Sequence, residues 1–323
     1  MKVLVTGGAG FIGSHLCERY LAKGHEVWAL DDLSTGRREN LSAAEGNKKL
    51  HFVEGSVLER EKVLELVGRC DLVMHLAAAV GVRYIVENPF VSIQTNVTGT
   101  EIILEYAEKF RKKVLITSSS EVYGKQRRMP LSEEMDRVLG PTTIGRWSYA
   151  ATKALDEFLA LAYWKTTRLP VVVVRLFNTV GPRQTGRYGM VLPRFVDAAL
   201  AGEEISVYGT GRQTRTFSHV QDVCGAMEIL ARIRKAEGQV VNVGGIEEVS
   251  IAELARRVKR RTGSRSRIVK IPYAQAYEKD FEDMPRRVPD ISKLRALTRF
   301  APRYRLDEII DSVVICRRKE LGL

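Results

Sequence analysis

The chain is predicted to be an α/β protein, a doubly wound parallel sheet covered by helices on both faces, with a smaller C-terminal lobe interleaved with it. Three features carry this. Strand-like and helix-like segments alternate through the first half, the pattern of a parallel sheet with crossover helices. Val171-Val172-Val173-Val174 is a continuous β-branched run, as suits a strand buried on both sides. After Gly181-Pro182 the alternation breaks down, so residues 1–182 are assigned to the sheet domain and 183–323 mostly to a substrate lobe.

Taken in order, Lys2–Thr6 is an apolar strand and Phe11–Lys23 has helical spacing up to Gly24. Glu26–Leu30 is a second strand ending at Asp31-Asp32, His51–Glu54 a short third, and Arg60–Val67 an amphipathic helix. Leu72–Leu76 is a buried strand, Val91–Phe110 a long helix, and Val114–Thr117 a strand. Tyr149–Thr166 is a second long helix, followed by the strand Val171–Leu176. Arg183–Arg215 reads as loops around one helix, Leu192–Ala201. Gln239–Val243 (with its flank, 239–244) is a strand returning to the sheet, followed by a basic helix and an irregular tail.

A chain of 323 residues can bury a substantial core. No apolar run is long enough for a bilayer span, and the Met1–Val5 run is broken by Thr6-Gly7-Gly8, which reads as strand and turn, not as a leader. The four cysteines, Cys17, Cys70, Cys224 and Cys316, are scattered. No zinc site or disulfide framework is expected, and a reducing cytoplasm fits best. His75, inside an apolar run, is expected to be a hydrogen-bonded core residue, and no metal is expected. The net charge of +12 raises a nucleic-acid reading. The densest basic stretch, Arg256–Arg261, however, falls on a helix whose apolar positions are Ile251, Leu254, Ala255 and Val258, so it is expected to be a solvated face. No nucleic-acid or membrane partner is expected, and a polyanionic small substrate accounts for part of the charge.

Gly7-Gly8-Ala9-Gly10-Phe11-Ile12-Gly13 joins the first strand to the first helix. Gly7 permits the tight turn, Gly10 lets backbone approach a pyrophosphate, and Gly13 lets helix and sheet pack closely. The helix N-terminus supplies N–H donors and a favourable dipole for phosphates. Asp31 lies where a carboxylate accepts hydrogen bonds from an adenosine ribose and repels a 2′-phosphate, which favours NAD. Arg37 and Arg38 keep NADP as the alternative.

Leu115–Gly124 reads Leu-Ile-Thr-Ser-Ser-Ser-Glu-Val-Tyr-Gly, and Tyr149-Ala-Ala-Thr-Lys153 follows. Tyr and Lys at i and i+4 share a helix face, so the ammonium is expected to lower the pKa of the phenol. With a strand-end hydroxyl, the pair forms a redox acid/base site. Glu121, two residues past Ser119, is the unusual element.

Together these motifs resemble the extended short-chain dehydrogenase/reductase family of nucleotide-sugar epimerases, dehydratases and decarboxylases. Further matches are Asp31–Gly36, His75–Ala78, Asn96–Thr100, Arg175–Arg183, Tyr208–Phe217 and Asn242–Gly244. The resemblance implies a Rossmann-type fold, a retained NAD, and a UDP-, dTDP- or GDP-sugar substrate. It implies Ser119 as the triad hydroxyl, Tyr149 as acid/base and Lys153 as its electrostatic partner. Cofactor contacts are implied for Gly7, Gly10, Phe11, Ile12, Gly13, Asp31, Asp32, Ser34, Thr35, Gly36, Ser56, Val57, Leu76, Ala77, Ala78, Asn96, Thr117, Tyr149, Lys153 and Phe177. Substrate contacts are implied for Asn178, Arg187, Val191, Leu192, Tyr208, Arg215 and Arg287. Gly55-Ser56-Val57 departs from the family, whose members usually carry Asp there.

The shared first step would be oxidation at the sugar C4′, with Tyr149 taking the hydroxyl proton. The ketone could then be turned over by an epimerase, lose water in a 4,6-dehydratase, or lose carbon dioxide where C5 carries a carboxylate. Glu121 disfavours simple 4-epimerases, and Ser120 stands where the dehydratases typically carry Asp. The Ser120-Glu121 pair and the Arg286-Arg287-Val288-Pro289-Asp290 segment resemble UDP-glucuronate decarboxylases, with Arg287 near the sugar carboxylate. UDP-sugar 4-epimerase is the main alternative, and a non-catalytic NAD-binding sensor is a third. Family members dimerise through helices equivalent to Val91–Phe110 and Tyr149–Thr166, so a homodimer is expected.

Overall fold

The computed structural model describes all residues except 82–84, 86, 187–189 and 274–283. Its centre is a seven-stranded sheet in which every pairing is parallel. The strands are β1 (Lys2–Thr6), β2 (Glu26–Asp31), β3 (Leu50–Glu54), β4 (Leu72–His75), β5 (Lys113–Ser119), β6 (Val171–Leu176) and, after β7–β10 of the C-terminal part, β11 (Gln239–Val243). Their order is β11-β6-β5-β4-β1-β2-β3. The connections from β1 and β4 diverge in opposite directions, which opens a crevice at the carboxyl ends of these neighbours.

Helices cover both faces. On one side lie α1 (Phe11–Ala22) and, later in the chain, α6 (Val220–Arg232). On the other lie α2 (Arg60–Arg69), α3 (Pro89–Lys109) and α4 (Trp147–Thr167). Strand alternation divides the core: Val172 and Val174 enter the first layer, Val171 and Val173 the second, and all four are fully buried. Each such side chain contributes about 1.5–3 kcal/mol through its removal from water, which is why this run carries no polar residue. The returning strand β11 pairs with β6 over Gln239–Val243, as its sequence predicts.

A second core is built from α5 (Val191–Ala201), α7 (Ile251–Thr262) and α9 (Leu306–Leu321). Around it lie β7 (Thr179–Val180), β8 (Ile205–Tyr208), β9 (Thr214–Thr216), β10 (Ser218–His219), β12 (Glu248–Ser250), β13 (Ile268–Ile271) and β14 (Arg286–Arg287). The tail is therefore not irregular. It carries α8 (Ser292–Thr298) and α9, whose Leu306, Ile309, Ile310, Val313 and Val314 are buried. The stretch 183–215 likewise holds two strands besides its helix. The basic residues of α7 meet acidic partners: Arg257 lies 2.7 Å from Glu247, and Arg261 donates from Nε to Asp311 on α9 at 2.6 Å. Burial of the apolar face of α7 and pairing of its charges explain why it tolerates so many cations.

Candidate active site

One cavity of about 520 Å³ opens at the carboxyl ends of the central strands and extends under the second core. Its first half is built by the β1–α1 turn. Gly7 has φ +68°, and a Cβ there would stand 3.0 Å from the Ala77 nitrogen; a Cβ on Gly13 would stand 2.0 Å from the Gly7 carbonyl oxygen. Only glycine permits these approaches. The N-cap of α1 is Gly10, with no side-chain cap, so its first-turn N–H groups are left for a ligand. Asp31 is buried at the end of β2. Its Oδ2 accepts from the Ala9 N–H and its Oδ1 from the Leu33 N–H, both at 2.9 Å. Burial pushes its carboxyl up, against those hydrogen bonds. These residues fit a dinucleotide: a glycine cradle with open N–H donors for a pyrophosphate, and a carboxylate beyond it for a ribose.

Gly7, Gly10, Phe11, Ile12, Gly13, Asp31, Asp32, Ser34, Thr35, Val57, Leu76, Ala77, Ala78, Thr117 and Phe177 all line the cavity. Gly36, Ser56 and Asn96 do not belong to its wall. A Cβ on Gly36 would strike Asp31 Oδ1 at 2.6 Å. Ser56 turns to its own loop, its N–H donating to Glu59 and its Oγ accepting from the Leu58 N–H. Asn96 is buried, and its Oδ1 accepts from the Ala79 N–H at 2.8 Å, which ties α3 to the loop after β4. His75 is a core residue, bonded to Thr6 at 2.8 Å and Thr100 at 3.1 Å, and burial lowers its pKa to about 3.

The second half of the cavity brings Ser119, Ser120, Glu121, Tyr149 and Lys153 together. Ser119 ends β5, and its Oγ accepts from the Glu121 N–H at 3.2 Å, starting a short 3-10 turn (Ser120–Tyr123). The Ser119 hydroxyl also faces the Tyr149 phenol on α4 and acts to lower it. Burial raises the Tyr149 phenol, and the Lys153 charge opposes that without outweighing it. The expected net lowering of the phenol is therefore not found in the protein alone, because desolvation is the larger effect. Among the described residues no cluster of His, Cys, Asp or Glu is placed to hold a metal ion.

Glu121 is held between two arginines. Arg287 Nη1 stands 2.5 Å from its Oε1, and Arg146 Nη2 stands 2.9 Å from its Oε2. Burial alone would raise this carboxyl, but Arg287 and Arg146 hold it below the ordinary glutamate range. Arg287 is set by two supports. Strand β14 pairs with β9, placing it opposite Arg215, and the Leu131 N–H donates to the Val288 carbonyl at 2.8 Å. The Arg287 Nε finds no hydrogen-bond acceptor among the described residues although it is buried. The cavity lining continues through Asn178, Val191, Leu192, Tyr208, Arg215 and Arg287. Asn178 donates to the Thr216 carbonyl, and Arg194 lies 3.9 Å over the Tyr208 ring. Arg187 lies outside the described residues.

Arg146, Arg194 and Tyr273 also line the cavity and were not singled out by motif, and Gln213 lines it too, from the matching Tyr208–Phe217 segment but with no role assigned there. Arg146 had a local signal, since it stands three residues before Tyr149 at the start of the helix. Asp156, in contact with Lys153, is another residue that no motif marked.

The family model described as GDP-mannose 4,6 dehydratase matches residues 4–313. A UDP-N-acetyl-alpha-D-glucosaminuronate decarboxylase of Bacillus cytotoxicus is 43% identical over 302 residues, covering 93% of this chain and 92% of the relative. UDP-glucuronic acid decarboxylase 1 of Xenopus tropicalis is 35% identical over 321 residues, covering 99% of this chain and 73% of the relative. Among solved structures, UDP-glucuronic acid 4-epimerase of Bacillus cereus, in complex with UDP-glucuronic acid and NAD, superposes with a TM-score of 0.88 at 27% identity, covering 99% of this chain and 100% of that one. A dTDP-glucose 4,6-dehydratase of Bacillus anthracis in complex with NAD gives 0.87 at 27% identity, over 100% and 98%.

Proposed function

The chain belongs to the GDP-mannose 4,6 dehydratase family of extended short-chain dehydrogenase/reductases and is an NAD-dependent enzyme, and from that premise we propose that it decarboxylates a UDP-linked hexuronate through transient oxidation at C4′. The observation that carries the reading is the placement of Arg287, Glu121 and Arg146 in the same cavity as Ser119 and Tyr149. A sugar whose C4′ hydroxyl meets Tyr149 would present its C5 substituent to this charged wall, and a carboxylate is the substituent such arginines recognise.

The Gly7–Gly13 turn and Asp31 would hold NAD, which, when bound, supplies hydride acceptance and return at C4′. Tyr149 takes the proton of the 4′-hydroxyl, guided by the nearby Ser119 hydroxyl and helped by the Lys153 charge. With C4′ a ketone, the C5 carboxylate is β to a carbonyl, and its bonding pair can pass into an enolate as carbon dioxide leaves. A proton from water at C5 then restores the 4′-ketone for hydride return, and the Tyr149 phenol gives its proton back to the C4′ oxygen. Arg287 orients the carboxylate, and Glu121 shares its charge, so that the departing group is held without being over-stabilised in the ground state. Asn178 at the end of the sheet domain, with Arg215 and Tyr208 in the lobe after residue 183, would carry the nucleotide diphosphate.

The two curated relatives named above are called decarboxylases of UDP-glucuronic acid and of its N-acetylglucosamine-derived counterpart, and both substrates fall in this class. The alternative is 4-epimerisation of the same hexuronate, favoured by the fold of the UDP-glucuronic acid 4-epimerase. No helix among the described residues is long and apolar enough to cross a membrane. We place the enzyme in the cytoplasm, where its free cysteines suit a reducing setting. We propose a homodimer through α3 and α4, where Phe90, Ile93, Leu155 and Phe158 are exposed. Incubation with each UDP-hexuronate and mass analysis of the product tests the reaction. A product lighter by carbon dioxide supports it, and an isobaric product replaces it with epimerisation.

A further inference from the structure

We propose that Asp156 is a positioning residue for proton transfer at Tyr149: its buried carboxylate fixes the Lys153 ammonium beside the phenol and keeps it charged. The inference rests on the reading above only in assigning acid/base work to Tyr149 and Lys153, and holds whether the ketone is decarboxylated or epimerised.

Lys153 follows Tyr149 by one turn of α4, and Asp156 follows Lys153 by a further three residues. The Lys153 Nζ stands 3.0 Å from Asp156 Oδ2, with side-chain exposures of 2% and 0%. Lys153 faces the cavity, whereas Asp156 does not belong to its wall. Asp156 therefore acts through the lysine and not on a ligand.

The neighbouring acid cannot substitute for it. Glu157 is taken up by Arg175, at 2.9 and 2.7 Å, and by the Ser118 hydroxyl at 2.5 Å. From α3, the Thr100 hydroxyl faces Asp156, whose Oδ1 makes no hydrogen bond among the described residues. From β4, His75 bonds Thr100 but is neutral, so it offers no competing positive charge. From the turn after β5, Ser119 and Glu121 face Tyr149. Burial works against the Lys153 ammonium, and Asp156 is the largest influence that offsets it. On Tyr149 itself Asp156 is the smallest of the recorded influences. Its effect on the phenol is thus mainly indirect: it secures the cation that stabilises the tyrosinate.

The sign follows. Without the Asp156 charge, desolvation lets Lys153 lose its proton at lower pH, and Tyr149 loses its cation over the upper part of the pH range. In D156N the alkaline limb of the kcat profile should move down by about one pH unit or more. Tyrosinate absorbance of the substrate-free enzyme, taken as the difference from the matching Y149F protein, should appear at higher pH than in the parent. This absorbance needs no turnover, so it separates failure of the inference from failure of the proposed reaction. D156S provides a smaller uncharged side chain if D156N does not fold. An unchanged alkaline limb, or a tyrosinate signal at unchanged or lower pH, would overturn the proposal. Failure of both variants to fold would also overturn it, assigning the pair to the stability of the core.

Discussion

Arg287 on β14 and Glu121 after β5 meet at 2.5 Å, joining the C-terminal lobe to the oxidation site across 166 positions of sequence. This contact puts a guanidinium at the wall of the cavity that also holds the Ser119 hydroxyl and the Tyr149 phenol proposed to act at C4′. Charged hydrogen-bonded contacts of this kind are worth about 2–5 kcal/mol when one partner is truncated. R287A should therefore lower kcat/KM for a UDP-hexuronate by about 30- to 5,000-fold, while NAD affinity changes little. Equal losses for UDP-glucose oxidation and for the hexuronate would remove the carboxylate-orienting role.

Glu121 also makes stability depend on pH. The neighbouring arginines depress its folded-state pKa against the cost of burial. Its contribution is therefore present above the ordinary glutamate value of about 4.3 and is lost as pH falls through the depressed value. Denaturant titrations across that acidic range should show a steeper loss in the parent protein than in E121Q. Parallel curves would show that the ion pairs do not contribute in the folded state.

Tyr149 is the proposed acid/base, so Y149F should lose about 10²- to 10⁴-fold in kcat. Binding of NAD, followed by its effect on Tm, should be retained because the glycine turn and Asp31 are untouched. A variant with near-parental kcat would move the acid/base role elsewhere.

Gly13 admits no side chain, since its Cβ would fall 2.0 Å from a backbone oxygen. G13A should destabilise the fold by about 1–3 kcal/mol or more through forced backbone displacement and weaken NAD binding. Calorimetry with and without NAD measures both effects, and unchanged values would contradict the close approach.

Phe158, 58% exposed on α4 with Arg137 4.9 Å over its ring, lies on the face proposed to meet a second copy. F158E should convert a dimer into a monomer in sedimentation velocity. A monomeric parent protein would dismiss the interface.

Much of the architecture was legible because its signals are local. The Val171–Val174 run marks a doubly buried strand without reference to anything else, and the glycines before α1 declare both a turn and its phosphate-facing purpose. Ser119, Glu121, Tyr149 and Lys153 lie in two short motifs on consecutive elements. The helices 292–298 and 306–321 escaped notice because Pro285, Pro289 and Pro302 fragment the tail, although Leu306, Ile309, Ile310, Val313 and Val314 repeat at helical spacing. Arg146 and Asp156 were harder still. A lone arginine before a helix and an aspartate within one ordinarily read as solvated charges, and only folding brings the first against Glu121 and buries the second beside Lys153. The net effect on Tyr149 was equally out of reach, because desolvation is set by the packing of the whole site.

In the proposed reaction the C5 carboxylate leaves after oxidation at C4′. The direct measurement is release of labelled carbon dioxide from carboxyl-labelled UDP-glucuronate and from its 2-acetamido counterpart by the NAD-loaded enzyme. Label from at least one of them should appear as carbon dioxide, at a rate that falls with Y149F and R287A. Full retention of label in an isobaric UDP-sugar would contradict it and establish epimerisation instead.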